Sequence, residues 1–191
     1  MPIYTYRTDA GYNLSTSGPL NIMLIKRSSG QSSLFVSVGA GANQLLLINE
    51  AIELGFQVIG IDADPMAAGM TRCHIRIQES MYDYESIYIK ISESLIEGKI
   101  RAVMTKSYGQ AVKTASFLSE KFGLRLLPFA RSGDFIVKER MKQVFAANGI
   151  PTPPGHVMEA GRIKVPARMT FPLVIKPVTG HGKRGVALLS D

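Results

Sequence analysis

Cysteine occurs once, as Cys73, so no intramolecular disulfide is available and a disulfide-stapled secreted scaffold is excluded. No apolar run approaches the ~18 residues of a membrane span. The first residues, Met1, Pro2, Ile3 and Tyr4, lack the basic start and long apolar stretch of a signal peptide. The expectation is a cytoplasmic protein without membrane contact. There is no paired-cysteine zinc pattern, no run of five Lys or Arg, and no basic amphipathic helix. Acidic residues are scarce in one region only. Residues 1–130 hold 12 basic and 11 acidic side chains, whereas 131–191 hold 10 basic and 4 acidic, so +6 of the formal net charge of +7 sits in the last third. Such a surplus suits nucleic acid, an acidic membrane or a phosphorylated small molecule. Aromatic residues are not interleaved with the basic ones here, so a nucleic-acid partner is not expected and the phosphorylated small molecule leads.

With 46% hydrophobic and 19% charged residues, disorder and collagen-like composition are excluded, and 191 residues suit one or two domains. Residues 1–33 read as an extension and linker, with a turn at Ser15–Pro19 and a short strand at Leu20–Ile25. From Leu34 short apolar runs alternate with helix-period segments. Leu34–Val38 is strand-like, Asn43–Leu54 is helical, and Phe56–Asp62 is a second strand. Cys73–Ile77 is a third. Asp83–Ile96 is a helix with Asp83 as N-cap and Gly98 past its end. Ile100–Met104 is a strand, and Tyr108–Phe122 a helix stopped by Gly123. Strands separated by helices of this length indicate βαβ units, so 34–130 is expected to be α/β, with a Rossmann-like parallel sheet. Residues 131–191 then read as a small, incomplete α+β lobe. It comprises a helix over Asp134–Asn148, the stiff connector Ile150–Gly155, a strand Pro172–Pro177, a glycine-rich loop, and a strand Val186–Leu189.

Two glycine-rich turns carry candidate chemistry. The first, Gly39-Ala-Gly41-Ala-Asn43-Gln44, lies between a strand and a helix, where glycine lets the backbone approach a ligand and the helix N-terminus offers free N–H groups. A dinucleotide fingerprint wants glycine or alanine where Gln44 stands. Asp62, at the end of the next strand, occupies the place of a ribose-binding acid, which keeps an NAD reading open. A tight structural turn explains the same glycines. The second is Lys176-Pro-Val-Thr179-Gly180-His181-Gly182-Lys183-Arg184-Gly185. A lysine emerging from a strand before a flexible basic loop is what closing over a polyphosphate requires. The Walker A spacing is absent, and an exposed hairpin with a basic tip remains the plain alternative. Cys73 and His74 are neighbours, but adjacent strand residues face opposite ways, which argues against a nucleophile pair.

In order, G-A-G-A-N-Q, I-D-A-D-P, Lys138-Glu-Arg-Met-Lys142, G-I-P-T-P-P and F-P-L-V-I-K-P with its glycine-rich loop resemble the ATP-grasp superfamily. The likeness is to relatives of biotin carboxylase and the carbamoyl phosphate synthetase large chain, and covers about residues 34–191. It implies a pre-ATP-grasp domain over 34–130 and part of the ATP-binding lobe over 131–191. It implies that Lys138 and Lys176 contact ATP and that Thr179, Gly180, His181, Gly182, Lys183, Arg184 and Gly185 cover its phosphates. Family members usually carry an acid before the position of Lys138, where Val137 stands here. Lys142, one turn on, reads equally as a solvated helix face.

The implied activity is ATP-dependent ligation of a small-molecule carboxylate through an acyl phosphate, with magnesium. The magnesium-binding acids resemble nothing before Asp191, so their ligands are expected outside this chain and the 191 residues alone are expected to be inactive. Gly39, Gly41, Asn43, Gln44, Asp62 and Asp64 are then candidates for a substrate wall. A homodimer and association with a C-terminal half both stay open as partners. The alternative is a Rossmann-type NAD(P)-binding or regulatory nucleotide-binding module without ligase chemistry.

Overall fold

The computed structural model describes residues 32–94, 97–158, 167, 169–180 and 184–190. The turn and strand expected within 15–25 therefore lie outside the described residues.

Four strands, β1 (Ser33–Val38), β2 (Gln57–Asp62), β3 (Ile75–Gln78) and β4 (Lys99–Met104), form one parallel sheet in the order β3-β2-β1-β4. Central β1 reads Leu-Phe-Val-Ser-Val from Leu34, and all five are buried. Alternation sends them to opposite faces. Leu34, Val36 and Val38 join Ile59, Ile61 and Leu118 in one apolar layer, while Phe35 joins Val58, Ile48 and Met70 in the other. The first layer is covered by α2 (Tyr84–Glu93), through Ile87 and Ile91, and by α3 (Gln110–Lys121), through Ala111, Ala115 and Leu118. The second is covered by α1 (Leu45–Glu53), through Ile48 and Ala51. An α/β sheet clad on both faces is thus the architecture, as the alternating pattern indicates.

Local signals explain the boundaries. The Asp83 carboxylate accepts from the N–H of Ser86 and caps α2. Gly123, at φ +67°, follows α3 where a left-handed residue ends a helix. The expected third strand starts two residues late. Cys73 instead belongs to the second apolar layer, its Sγ donating to the Gly69 carbonyl at 3.2 Å.

The helix expected as continuous over Asp134–Asn148 is two. Val137 is extended (φ −98°, ψ 112°) and separates α4 (Gly133–Ile136) from α5 (Lys138–Ala147). The break has a partner: the N–H of Lys138, which a continuous helix would direct to the Asp134 carbonyl, donates to the Val178 carbonyl at 3.0 Å. Strands β5 (Leu173–Ile175) and β6 (Ala187–Leu189) pair antiparallel, with Ile175 opposite Ala187. Among the described residues after Ser132 none is buried, so burial in this structure is concentrated in the parallel sheet and its helices.

Ile59→Ala, at a fully buried position of β2, is expected to lower unfolding free energy by about 2–5 kcal/mol. Leu54→Ala, 64% exposed after α1, should change it by under about 0.5 kcal/mol. Chemical denaturation of both variants checks the contrast.

Candidate functional site

Parallel strands bring their carboxyl ends to one edge of the sheet. Chain order reverses between β1 and β4, the kind of switch point at which open α/β sheets bind ligands. The loop after β1 holds Gly39 at φ +93°, a conformation that favours glycine. Its N–H donates to the Ile61 carbonyl at 2.9 Å, and the Ala40 N–H donates to Asp62 Oδ2 at 2.8 Å. Asp62 Oδ1 accepts from the N–H of Asp64 at 3.1 Å, and Asp64 Oδ1 from the N–H of Met66 at 2.9 Å. Both oxygens of Asp62 therefore lace the first turn to the second.

Gln44 is buried, and its Oε1 accepts from the N–H of Lys106 at 2.9 Å, joining the loop after β1 to the loop after β4. Gly41, at φ −66°, has nothing within 4 Å of where a Cβ would stand, and Asn43 is exposed, so these two line the open surface. Gly69 packs directly on this turn. A Cβ there would lie 2.7 Å from the Ala40 carbonyl oxygen and 2.6 Å from Ile48 Cδ1, while the Gly69 N–H donates to that carbonyl at 2.6 Å. A lone glycine in an irregular segment carries no motif, and only the packing exposes its role.

Beside this edge, Glu79 accepts from Lys90 Nζ at 2.8 Å, from Ser86 Oγ at 2.8 Å and from the Ser80 N–H at 2.9 Å. These bonds, Lys90 foremost, hold its carboxyl down to about 2. Cys73 is the opposite case: burial pushes its thiol up to about 11, against a smaller opposing effect of Arg76. His74 Nδ1 accepts from the Val58 N–H at 3.1 Å. The two neighbours thus have separate structural partners and form no nucleophile pair.

The second candidate region is built by α5, β5 and the loop leading to β6. Lys138 begins α5, and its Nζ donates to the Gly180 carbonyl at 2.8 Å. Lys142, one turn on, donates to the Pro153 carbonyl and so grips the proline connector rather than standing as a solvated face. Lys176 directly follows β5 and is exposed, as are Thr179, Gly180, Arg184 and Gly185. Gly180 and Gly185 have φ +101° and +67°. His181, Gly182 and Lys183 lie outside the described residues. The structure therefore brings Lys138 and Gly180 into direct contact, with Lys176 at the root of the same loop. Exposed ammonium groups and glycine amides suit an anionic polyphosphate. No group of three or more His, Cys, Asp or Glu able to hold a metal ion comes together among the described residues. Nor is any described helix long and apolar enough to cross a membrane.

The sequence matches no protein-family model and no curated protein. Solved structures do match in fold. An L-amino acid ligase from Bacillus licheniformis superposes with a TM-score of 0.63 at 21% identity, over 84% of this chain and 39% of that one. The N5-carboxyaminoimidazole ribonucleotide synthetase from Thermotoga maritima gives 0.61 at 20% identity, over 84% and 41%. The chain has the fold of the N-terminal part of ATP-grasp enzymes. A third example is the biotin carboxylase domain of the Hydrogenobacter thermophilus 2-oxoglutarate carboxylase, in complex with MgADP, ADP and bicarbonate. It gives 0.60 at 19% identity, over 84% and 38%. The chain spans about two fifths of the length of these ATP-grasp proteins.

Gln44→Ala leaves the Lys106 N–H without its acceptor and is expected to cost about 1–3 kcal/mol of stability, whereas Gly41→Ala should be tolerated; urea midpoints separate the two. Glu79 contributes stability that is fully present above its ordinary value of 4.5 and is lost as pH falls towards about 2. Wild type should therefore exceed Glu79→Gln in stability above that window, with the gap closing through it, as read by denaturation at a series of pH values.

Proposed function

We propose that these residues are the N-terminal portion of an ATP-dependent carboxylate ligase that joins a small-molecule carboxylate to an amine or similar nucleophile through an acyl phosphate. In this reading 34–130 is the pre-ATP-grasp domain and 131–191 part of the nucleotide-binding lobe. The observation that carries it is the contact between Lys138 and the glycine-rich loop that follows Lys176, within a fold shared with ATP-grasp ligases and a carboxylase domain.

Bound ATP would supply the phosphoryl group, and the chain's own residues would hold it. Lys176, leaving β5, and Arg184, across the loop, place positive charge at the two ends of the glycine-rich turn. The amides of Thr179 and Gly180 can donate to phosphate oxygens from a backbone that glycine lets fold close to a ligand. Positioning and charge neutralisation of this kind are the main tasks in phosphoryl transfer. The acids that would hold magnesium are expected outside these residues, and the 191 residues alone are expected not to ligate. Gly41 and Asn43, in the loop at the switch point, and Asp64, exposed after β2, are the candidate substrate wall. Gln44 and Asp62 support that wall through the bonds already described.

The test is thermal stabilisation by ATP with magnesium, compared with NAD and NADP. Ligand at a hundred times its Kd stabilises by about 2.7 kcal/mol, and ATP is expected to raise Tm accordingly. Lys176→Ala should weaken ATP roughly 10-fold or more, the effect of one lost charged hydrogen bond. Stabilisation by NAD that is indifferent to Lys176→Ala would overturn the reading.

A further inference from the structure

Val58 is fully buried near the start of β2, and both of its backbone groups are bonded to one residue. Its carbonyl accepts from the His74 N–H at 3.0 Å, and its own N–H donates to His74 Nδ1 at 3.1 Å. The first bond belongs to the ladder of the sheet; the second does not. β3 begins with Ile75 opposite Ile59. One step further back, the pattern of a parallel pair would send the Val58 N–H to the Arg72 carbonyl. Arg72 instead ends a 3₁₀ turn over Met70–Arg72, and the imidazole of His74 takes the place of that carbonyl.

The replacement carries a condition that a carbonyl would not. A carbonyl accepts at any pH, whereas an imidazole nitrogen accepts only while it is unprotonated. Nδ1 must therefore be bare here, with the proton of the neutral ring on Nε2. Imidazolium is a donor at both nitrogens, so protonation sets two N–H groups against each other and strips Val58 of its acceptor. His74 is exposed to solvent, and histidine changes charge within about pH 5 to 8.

The charged groups on the elements around it are few. Arg72 lies in the preceding turn, its Nε donating to Asn49 Oδ1 of α1 at 3.2 Å. Arg76, two residues on, shares the face of β3 on which His74 stands. Glu50 and Glu53 belong to α1, which covers that face of the sheet. Cys73 is turned into the second apolar layer, and α2 covers the opposite face with its Lys90 bound to Glu79.

His74 also marks where the crossover 63–74 rejoins the sheet. At its other end this segment carries Asp64, and midway the Gly69 N–H donates to the Ala40 carbonyl at 2.6 Å. We propose that His74 is a pH-released clasp: the neutral imidazole fixes the return of the crossover to β2, and protonation frees the Val58 N–H and loosens that return. The backbone bond from His74 to Val58 does not titrate and keeps the strands in register. The clasp is closed on the alkaline side of the His74 titration and open on the acid side. It stands independently of the ligase reading.

Nuclear magnetic resonance on the full chain tests it. Long-range proton–nitrogen correlations of the ring should show the Nε2–H tautomer above the titration. Exchange protection of the Val58 amide, corrected for the intrinsic pH dependence of exchange, should fall roughly 5-fold or more as His74 titrates, the loss of one hydrogen bond. The Gly39 amide, bonded to the Ile61 carbonyl, should stay level. His74→Asn brings a carbonyl oxygen close to the position of Nδ1, and should keep Val58 protected while removing the pH dependence. His74→Phe should leave Val58 equally poorly protected at both ends of the range. A neutral ring protonated at Nδ1 would overturn the clasp. So would Val58 protection that stays level through the His74 titration, or a pH dependence that survives in His74→Asn.

Discussion

The fold depends on a central strand that is apolar on both faces. β1 pairs with β2 on one side and β4 on the other, so its peptide groups are satisfied within the sheet while Leu34, Phe35, Val36 and Val38 still need cover. A parallel sheet meets that need only with helices on both faces. Placing α1 on one face and α2 with α3 on the other reverses the direction of winding at β1. The switch point at the carboxyl ends of β1 and β4, with Gly41 and Asn43 in the loop after β1, follows from that reversal.

The loops at that switch point are held by polar bonds. Asp62 ties the turn after β1 to the turn after β2, Gln44 ties it to the loop after β4, and Gly69 lets a third segment pack directly on Ala40. Three connections from different parts of the chain converge on four or so residues. The result is a cross-linked turn beneath the exposed Asn43.

The C-terminal region is held differently. With no buried residue after Ser132 among those described, it depends on hydrogen bonds from α5 to the loop and connector and on the short β5–β6 pair. Each such bond is worth about 1 kcal/mol net, so these contacts rearrange at low cost. Weak, exchangeable contacts of this kind accord with low local stability.

Strand and helix order were legible along 34–123 because burial on two sheet faces leaves a periodic trace: unbroken apolar runs for strands, spacings of three and four for helices. The order of the glycine-rich turns and the connector was likewise legible, since glycine and proline restrict backbone conformation wherever they stand. Less could be read where the deciding partner lies far along the chain. Val137 breaks a helix whose local pattern runs through it, because Lys138 bonds to Val178, forty residues on. Gln44 looked like a fingerprint mismatch, yet its partner is the Lys106 amide. Lys138 looked like a phosphate contact and Lys142 like a solvated helix face, yet each sits on a carbonyl. The sequence by itself determined the α/β class, the element order and the chemical character of the two glycine-rich turns, because these follow from side-chain polarity and backbone restriction over short distances. Only the tertiary structure decided which polar groups are engaged by the chain itself, because a hydrogen bond across the fold leaves no mark on the residues between its ends.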